Sequence, residues 1–171
     1  YRPSWDDYFI AAARLVASRA TCDRLYAGSV LVKDNRIIAT GYNGSPPGQP
    51  HCTDAGHLLE EGHCVRTIHA EHNCLLQAAR QGGTSTDGST MYTKYSPCIH
   101  CTKYIMASGV KRVVVGKVYR SPQALEMLKA GGVTVEEYKE DSTWAEELAQ
   151  IFSEDIPERT NEGKITFDQE K

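Results

Sequence analysis

The sequence predicts an α/β domain in which helices cover a central sheet. Three observations predict it. Short β-branched runs alternate with helical stretches through the second half of the chain, the helical stretches carry apolar residues at helical spacing, and Gly, Pro and Asn punctuate the boundaries.

The elements follow in order. Ser4 followed by Asp7 has the form of a helix N-cap, and Tyr8, Ala11, Ala12, Leu15 and Val16 recur at helical spacing, so a helix is expected over roughly residues 5–20. The apolar run Gly28–Lys33, the turn Asp34-Asn35 and the resumed run Arg36–Tyr42 predict a hairpin. From Asn43 to about Cys64 the chain is Gly, Pro, His and polar, with Pro46-Pro47 inside it. That is a long loop with little regular structure, and such loops are usually functional or clamped. His69–Arg80 has helical spacing and ends at Gly82-Gly83. Thr90–Lys94 reads as a strand, and Pro97 as the first residue of a helix closed by Gly109. Val110–Gly116 is a buried-type strand, Ser121-Pro122 starts a helix to about Ala130, and Val133–Val135 is a short last strand. Trp144–Phe152 is a terminal helix. Residues 1–156 are read as one domain, and the polar stretch 157–171, anchored only by Ile165 and Phe167, as a C-terminal extension.

A chain of 171 residues has room for one ordinary domain with a real core, so metal is not required merely to offset small size. Lys and Arg number 19 against 22 Asp and Glu, a net charge of -3, which argues against a general polynucleotide binder. A small anionic substrate remains compatible with that balance. No apolar run is long enough to span a bilayer and no export signal opens the chain, so no membrane partner and a cytoplasmic location are expected. In that compartment six cysteines are thiols or metal ligands in preference to disulfides.

Two short pieces carry the chemistry: His69-Ala70-Glu71 and Pro97-Cys98-Ile99-His100-Cys101. Cys98 and Cys101, three apart at a helix start, fall on one face, where free N–H groups and the helix dipole favour thiolates. His69, at the start of another helix, can meet the same ion from a second direction. An N, S, S donor set suits zinc and leaves one tetrahedral position open. Glu71, two residues from His69, is not needed as a ligand and is placed to move protons. H-x-E followed by P-C-x-x-C is the signature of the zinc deaminases of nucleobases. The plainer readings of a lone C-x-x-C are half of a structural zinc site or a redox pair. A structural site lacks its second His here, and a redox pair has no use for His69 or Glu71.

Three segments make the reading more specific: Gly41-Tyr42-Asn43-Gly44-Ser45, Gly62-His-Cys-Val-Arg-Thr-Ile-His-Ala-Glu71 and Ser96-Pro-Cys-Ile-His-Cys101. From about Trp5 to Val135 the chain resembles the deoxycytidylate (dCMP) deaminases of bacteria and bacteriophages, within the cytidine-deaminase-like superfamily. The resemblance implies a three-layer α/β/α sandwich with a mixed central sheet of about five strands. It also implies hydrolysis of dCMP to dUMP for dTMP synthesis, with dCTP and Mg²⁺ activating, dTTP inhibiting, and a homo-oligomer that is often a hexamer. Asn43 matches the family residue that faces the substrate sugar, and Ala70 and Tyr95 are further candidate substrate contacts; Tyr95 alternatively fills the sheet edge. The turn Gly41–Gly48 matches the effector region, making Asn43, Gly44 and Ser45 effector candidates, and Arg80 matches a position tied to effector response. Gln77 stands where a relative has an aromatic residue. Exposed N–H groups on such a turn can cradle phosphate; otherwise it is a hairpin exit.

Cys22, Cys52, His57 and Cys64 form a second candidate metal site. The matching positions in bacterial relatives look like four cysteines, with histidine here replacing the third, and Cys₃His is an acceptable structural zinc set. His51 and His63 compete for the histidine role, and Cys22 and Cys64 could instead be small buried residues. Cys74, with Leu75 and Ala78, reads as core. His72 and His100 face solvent or a subunit interface, and Arg66 is a phosphate contact or a surface charge. The rival functions are deamination of free cytidine, or of adenine in tRNA, and an inactive zinc-stabilised module. A polynucleotide substrate calls for a basic track, and an inactive module has no need of Glu71.

Overall fold

A capping box starts the first helix. The Ser4 hydroxyl accepts the Asp7 N–H at 3.1 Å, and the Asp7 carboxylate accepts the Ser4 N–H at 2.9 Å, which satisfies two donors that the helix ladder leaves over. The computed structural model describes residues 2–119 and 121–153, so the expected extension 157–171 lies outside the described residues. In chain order the elements are α1 (Trp5–Ala17), β1 (Gly28–Lys33), β2 (Arg36–Tyr42), α2 (Cys52–Ala55), β3 (Leu59–Glu60), β4 (His63–Cys64) and α3 (Ala70–Gln81). They continue with β5 (Thr90–Thr93), α4 (Ile99–Ala107), β6 (Arg112–Val115), α5 (Pro122–Ala130), β7 (Thr134–Glu137) and α6 (Ser142–Ile151).

The sheet has five strands in the order β2-β1-β5-β6-β7. β1 pairs antiparallel with β2 and β5, while β5, β6 and β7 run parallel, so the sheet is mixed as expected. Asp34 and Asn35 turn the hairpin with φ of 50° and 55°, the left-handed pair that a tight hairpin requires. Strand alternation then divides the core. Val30, Val32, Tyr92 and Val114 face Phe9, Ile10 and Ala13 of α1. Leu31, Met91, Val113 and Val115 face the other way, onto Cys74, Leu75 and Ala78 of α3, Ile105 of α4 and Leu128 of α5. The result is three layers.

Two glycines set the layer spacing. A Cβ on Gly28 would lie 2.2 Å from the Ala13 carbonyl oxygen, and one on Gly41 would lie 2.2 Å from the Cys74 nitrogen and 2.4 Å from the Ala70 oxygen. Only a residue without a side chain lets α1 and α3 come so close to the sheet.

The boundaries differ from expectation in instructive ways. The first helix stops at Ala17, where the Ser18 hydroxyl donates to the Leu15 carbonyl at 2.7 Å. Pro97 does not open α4. Cys98, with extended backbone (φ -77°, ψ 169°), is the N-cap, and Pro97 precedes it. Likewise His69 caps α3 and is not its first turn. The long loop from Asn43 holds one helical turn, α2, and the two-residue ribbon β3–β4.

A polar network ties α1 to three strands. Arg112 of β6 donates two hydrogen bonds to Asp6, at 2.9 and 2.7 Å, and pairs with Glu136 of β7. The Tyr92 hydroxyl of β5 donates to Asp6 at 2.7 Å. The Arg112 guanidinium is the largest influence holding the Asp6 carboxyl below its ordinary 3.8. Stability from a lowered carboxyl is complete above the ordinary value and is lost as pH falls through the folded-state value.

Asp6→Asn is expected to cost only about 1 kcal/mol at neutral pH, because solvent reaches the pair. Urea unfolding of the two proteins should converge as the pH is taken below 3.8; a pH-independent gap would show that the carboxylate charge is irrelevant. Gly41→Ala should cost about 3 kcal/mol, since the atoms in its way are helix backbone. Thermal unfolding of that variant measures it, and an unshifted midpoint would refute the close-approach argument.

Candidate metal centre and active site

Three donor atoms meet where two helices begin. His69 is the N-cap of α3, Cys98 the N-cap of α4, and Cys101 lies in the first turn of α4. His69 Nδ1 is 3.4 Å from Cys98 Sγ and 3.6 Å from Cys101 Sγ, and all three donor atoms lie within 4.8 Å of one another. Ligands on a tetrahedral zinc at ordinary Zn–S and Zn–N lengths stand about 3.6 Å apart. Both the donor chemistry and the spacing fit that ion.

The protonation pattern agrees with a site built for a cation. A hydrogen bond from the Cys101 thiol, with His69 adding to it against the effect of burial, brings Cys98 down to about 3. Cys101 is pushed well up, first by its thiolate neighbour Cys98 and then by burial. His69 is raised, chiefly by its hydrogen bond with Cys98. The cluster thus carries negative charge that holds protons, and those are what a metal ion displaces.

Glu71 lies in the first turn of α3 and is only 7% exposed. Burial pushes its carboxyl up to about 7, against the pull of its own backbone N–H and of His69. Such a carboxyl takes and returns a proton near neutrality with little driving force wasted.

Three contacts fix the start of α3. Gly41 lets the helix lie against β2. The Asn73 side-chain amide donates to the Tyr42 carbonyl at 2.9 Å. Gly44 and Ile68 exchange both backbone hydrogen bonds, at 3.1 and 2.9 Å, immediately before His69. On the other side, Ser96 Oγ donates to the Tyr119 carbonyl at 2.8 Å and accepts its N–H at 2.7 Å, which holds the loop leading to Cys98. Asn73 carries no motif in the sequence, and Ser96 enters there only as the first residue of a motif, with no role. Each is a polar residue within four positions of a ligand, and sequence gives no partner for either.

A second cluster assembles in the long loop. Cys22 Sγ is 3.7 Å from His57 Nδ1, Cys52 Sγ is 3.6 Å from Cys64 Sγ, and all four donor atoms lie within 4.8 Å of one another. His57 Nε2 lies 3.2 Å from an Asp23 carboxylate oxygen, the outer contact that orients a ligand histidine. Burial is the largest influence raising Cys52 to about 12; Cys64 is lowered to about 6 because the Arg66 N–H and His57 outweigh burial. His51 instead lies 4.0 Å from Asp54, and His63 is on the exposed ribbon, so neither belongs to this group.

The substrate and effector candidates are more dispersed. Asn43 is buried, and its side-chain amide accepts the Ala27 N–H at 2.8 Å and donates to the Leu25 carbonyl at 2.7 Å. The idea of a phosphate cradle of free N–H groups does not survive for this turn. The Asn43 N–H donates to Ala27, Gly44 to Ile68, and Ser45 to the Thr21 hydroxyl, because a segment without a ladder must satisfy its donors locally. Ala70, the first residue of α3, is buried against Gly41. Tyr95 is half-buried, with its ring 5.6 Å from that of Tyr119. Arg80 is exposed in the last turn of α3, about 15 Å along the helix from Ala70. Arg66 donates to the Gly56 carbonyl at 3.0 Å and braces the loop. Cys74 is fully buried core, and His72 stacks on Tyr104 with ring centres 4.4 Å apart.

Comparison with known proteins agrees with this geometry. Residues 3–117 match the family described as the cytidine and deoxycytidylate deaminase zinc-binding region. ComE operon protein 2 of Bacillus subtilis is 46% identical over 141 residues, covering 82% of this chain and 74% of that protein. Deoxycytidylate deaminase of Saccharomyces cerevisiae is 37% identical over 146 residues, 80% of this chain, and the match spans only 46% of the yeast protein. Among solved structures, dCMP deaminase of the cyanophage S-TIM5 in complex with dCMP and dUMP superposes with a TM-score of 0.71 at 33% identity, covering 81% of this chain and 99% of that one. With the ligand triangle, the buried carboxylate and the five-stranded sheet in agreement, the chain belongs to the cytidine and deoxycytidylate deaminase family.

Proposed function

We propose that this protein hydrolyses dCMP to dUMP and ammonia, with Glu71 as the catalytic acid and base beside zinc held by His69, Cys98 and Cys101. The observation that carries the reading is the buried Glu71 carboxyl next to three donors at tetrahedral spacing. The named deoxycytidylate deaminases among its relatives, and dCMP in the related phage structure, support the choice of substrate. Zinc in that triangle supplies the positive charge that acidifies a water by several pKa units.

The chain's own residues do the rest. Glu71 accepts a proton from the attacking water and delivers it to the ring nitrogen beside the reacting carbon. Once the oxygen has bonded to that carbon, Glu71 takes the remaining proton of the new hydroxyl and hands it to the amine, and the C–N bond breaks as the C=O bond forms. Water and dCMP are consumed, dUMP and ammonia leave, and Glu71 ends as it began. Asn43, Ala70 and Tyr95 are the residues proposed to contact the nucleotide.

The same reading assigns a structural zinc to Cys22, Cys52, His57 and Cys64. It includes a cytoplasmic homo-oligomer, hexameric in form, that dCTP with Mg²⁺ activates and dTTP inhibits, with Asn43, Gly44, Ser45 and Arg80 as effector residues.

Purified protein is expected to release ammonia from dCMP far faster than from deoxycytidine, with the rate responding to dCTP–Mg²⁺ and dTTP. Glu71→Gln should lower kcat by about 10²–10⁴-fold with zinc still bound. Equal rates on the two substrates would overturn the nucleotide assignment, and an active Glu71→Gln enzyme would overturn the mechanism. Metal analysis should find two zinc ions per chain and one in Cys52→Ser, whose melting temperature should fall because its loop loses its brace. One zinc in both proteins would remove the structural site.

A further inference from the structure

We propose that Thr21 is a positioning residue: it is the joint through which the Cys22–Cys52–His57–Cys64 cluster sets the place of His69. This rests on the two-zinc reading above and concerns how the two centres communicate.

His69 stands where the loop meets α3. As the N-cap of α3 it has extended backbone, φ -63° and ψ 152°, and lies outside the run of regular helix. Its position is inherited from Ile68. Both backbone groups of Ile68 are held by Gly44, at 3.1 and 2.9 Å. Gly44 in turn has no ladder of its own, since β2 ends at Tyr42. The residues on either side of it are both tied to Thr21. The Thr21 N–H donates to the Asn43 carbonyl at 3.0 Å, and the Thr21 hydroxyl accepts the Ser45 N–H at 2.9 Å. Thr21 therefore brackets Gly44.

The same residue reaches the second cluster twice. Its carbonyl accepts the Cys52 N–H at 3.1 Å, and its chain neighbour is Cys22. Cys22 and Cys52 both carry donor atoms of that cluster. Between Asn43 and His69 the regular structure amounts to one helical turn and a two-residue ribbon, so on the loop side of His69 this path is the one that backbone bonds supply, while α3 packed on β2 holds its other side. A metal that draws Cys22 and Cys52 together fixes Thr21, Thr21 fixes the Asn43–Ser45 turn, and the turn fixes Ile68 and His69.

Thr21→Val tests it. The change keeps the backbone bonds and the shape of the side chain and leaves the Ser45 N–H without its acceptor. Thr21→Ser restores the hydroxyl. Zinc is titrated out of the full-length protein with a chelator, and the step belonging to the His69 site is identified by its disappearance in Cys98→Ser. The expected result is that Thr21→Val weakens zinc at the His69 site about tenfold, as loss of an outer support does, while leaving the other step in place. Thr21→Ser should restore it. Cys52→Ser should weaken the His69 site too, and adding Thr21→Val to it should bring less further loss than in the native background. An unchanged His69-site affinity in Thr21→Val, even with a lowered melting temperature, would overturn the proposal by leaving Thr21 a purely structural residue. Strict additivity of the two changes would overturn it as well. A native chain that binds a single zinc would instead strike the two-zinc reading, which the same titration reports separately.

Discussion

α3 lies on β2 with no side chain between them at Gly41, where the Ala70 carbonyl and the Cys74 nitrogen occupy the space a Cβ would need. That close approach governs the site. It places the first turn of α3, with His69 just before it and Glu71 within it, next to the end of the strand, where the Asn73 amide and the Gly44–Ile68 pair secure it. Glu71 there is only 7% exposed. The raised carboxyl pKa is a consequence of that burial.

The second organising feature is that every donor of the His69 triangle sits at a helix start. Helix N-termini leave N–H groups without ladder partners, and their dipole favours negative charge, so thiolates are at home there. The cost of gathering two sulfurs and an imidazole is visible in the divided protonation of Cys98 and Cys101, one driven down and the other up. A cation resolves that conflict by replacing the shared protons. Chemistry and folding thus make the same demand on one place.

The loop from Asn43 to Cys64 solves a different problem. With almost no ladder to satisfy its backbone, it uses side chains: the Asn43 amide holds residues 25 and 27, Arg66 holds Gly56, and the four donors of the second cluster meet there from three separate stretches. The turn beside it is consequently poor in free N–H groups, which removes the simplest phosphate-binding scheme from this segment.

By itself the sequence determined the order and kind of nearly all elements, because hydrophobic period and punctuation are local properties. The Asp34-Asn35 hairpin, the Ser4–Asp7 cap and both ligand motifs belong to that class. The His69, Cys98 and Cys101 group was also legible from its spacing, whereas Cys22, Cys52, His57 and Cys64 are irregularly spaced and were named through the family resemblance and their ligand chemistry. Tertiary structure alone decided that His57, and not His51 or His63, completes the second group, because the choice depends on how a ladderless loop is folded back. It alone showed Pro97 standing outside α4, with Cys98 as its cap. It set Arg80 at the opposite end of α3 from the ligand His69, since a helix carries its last turn away from its first at a fixed rise per residue. Asn73, Ser96 and Thr21 gained meaning only there, because a polar side chain names its partner through space and not along the chain.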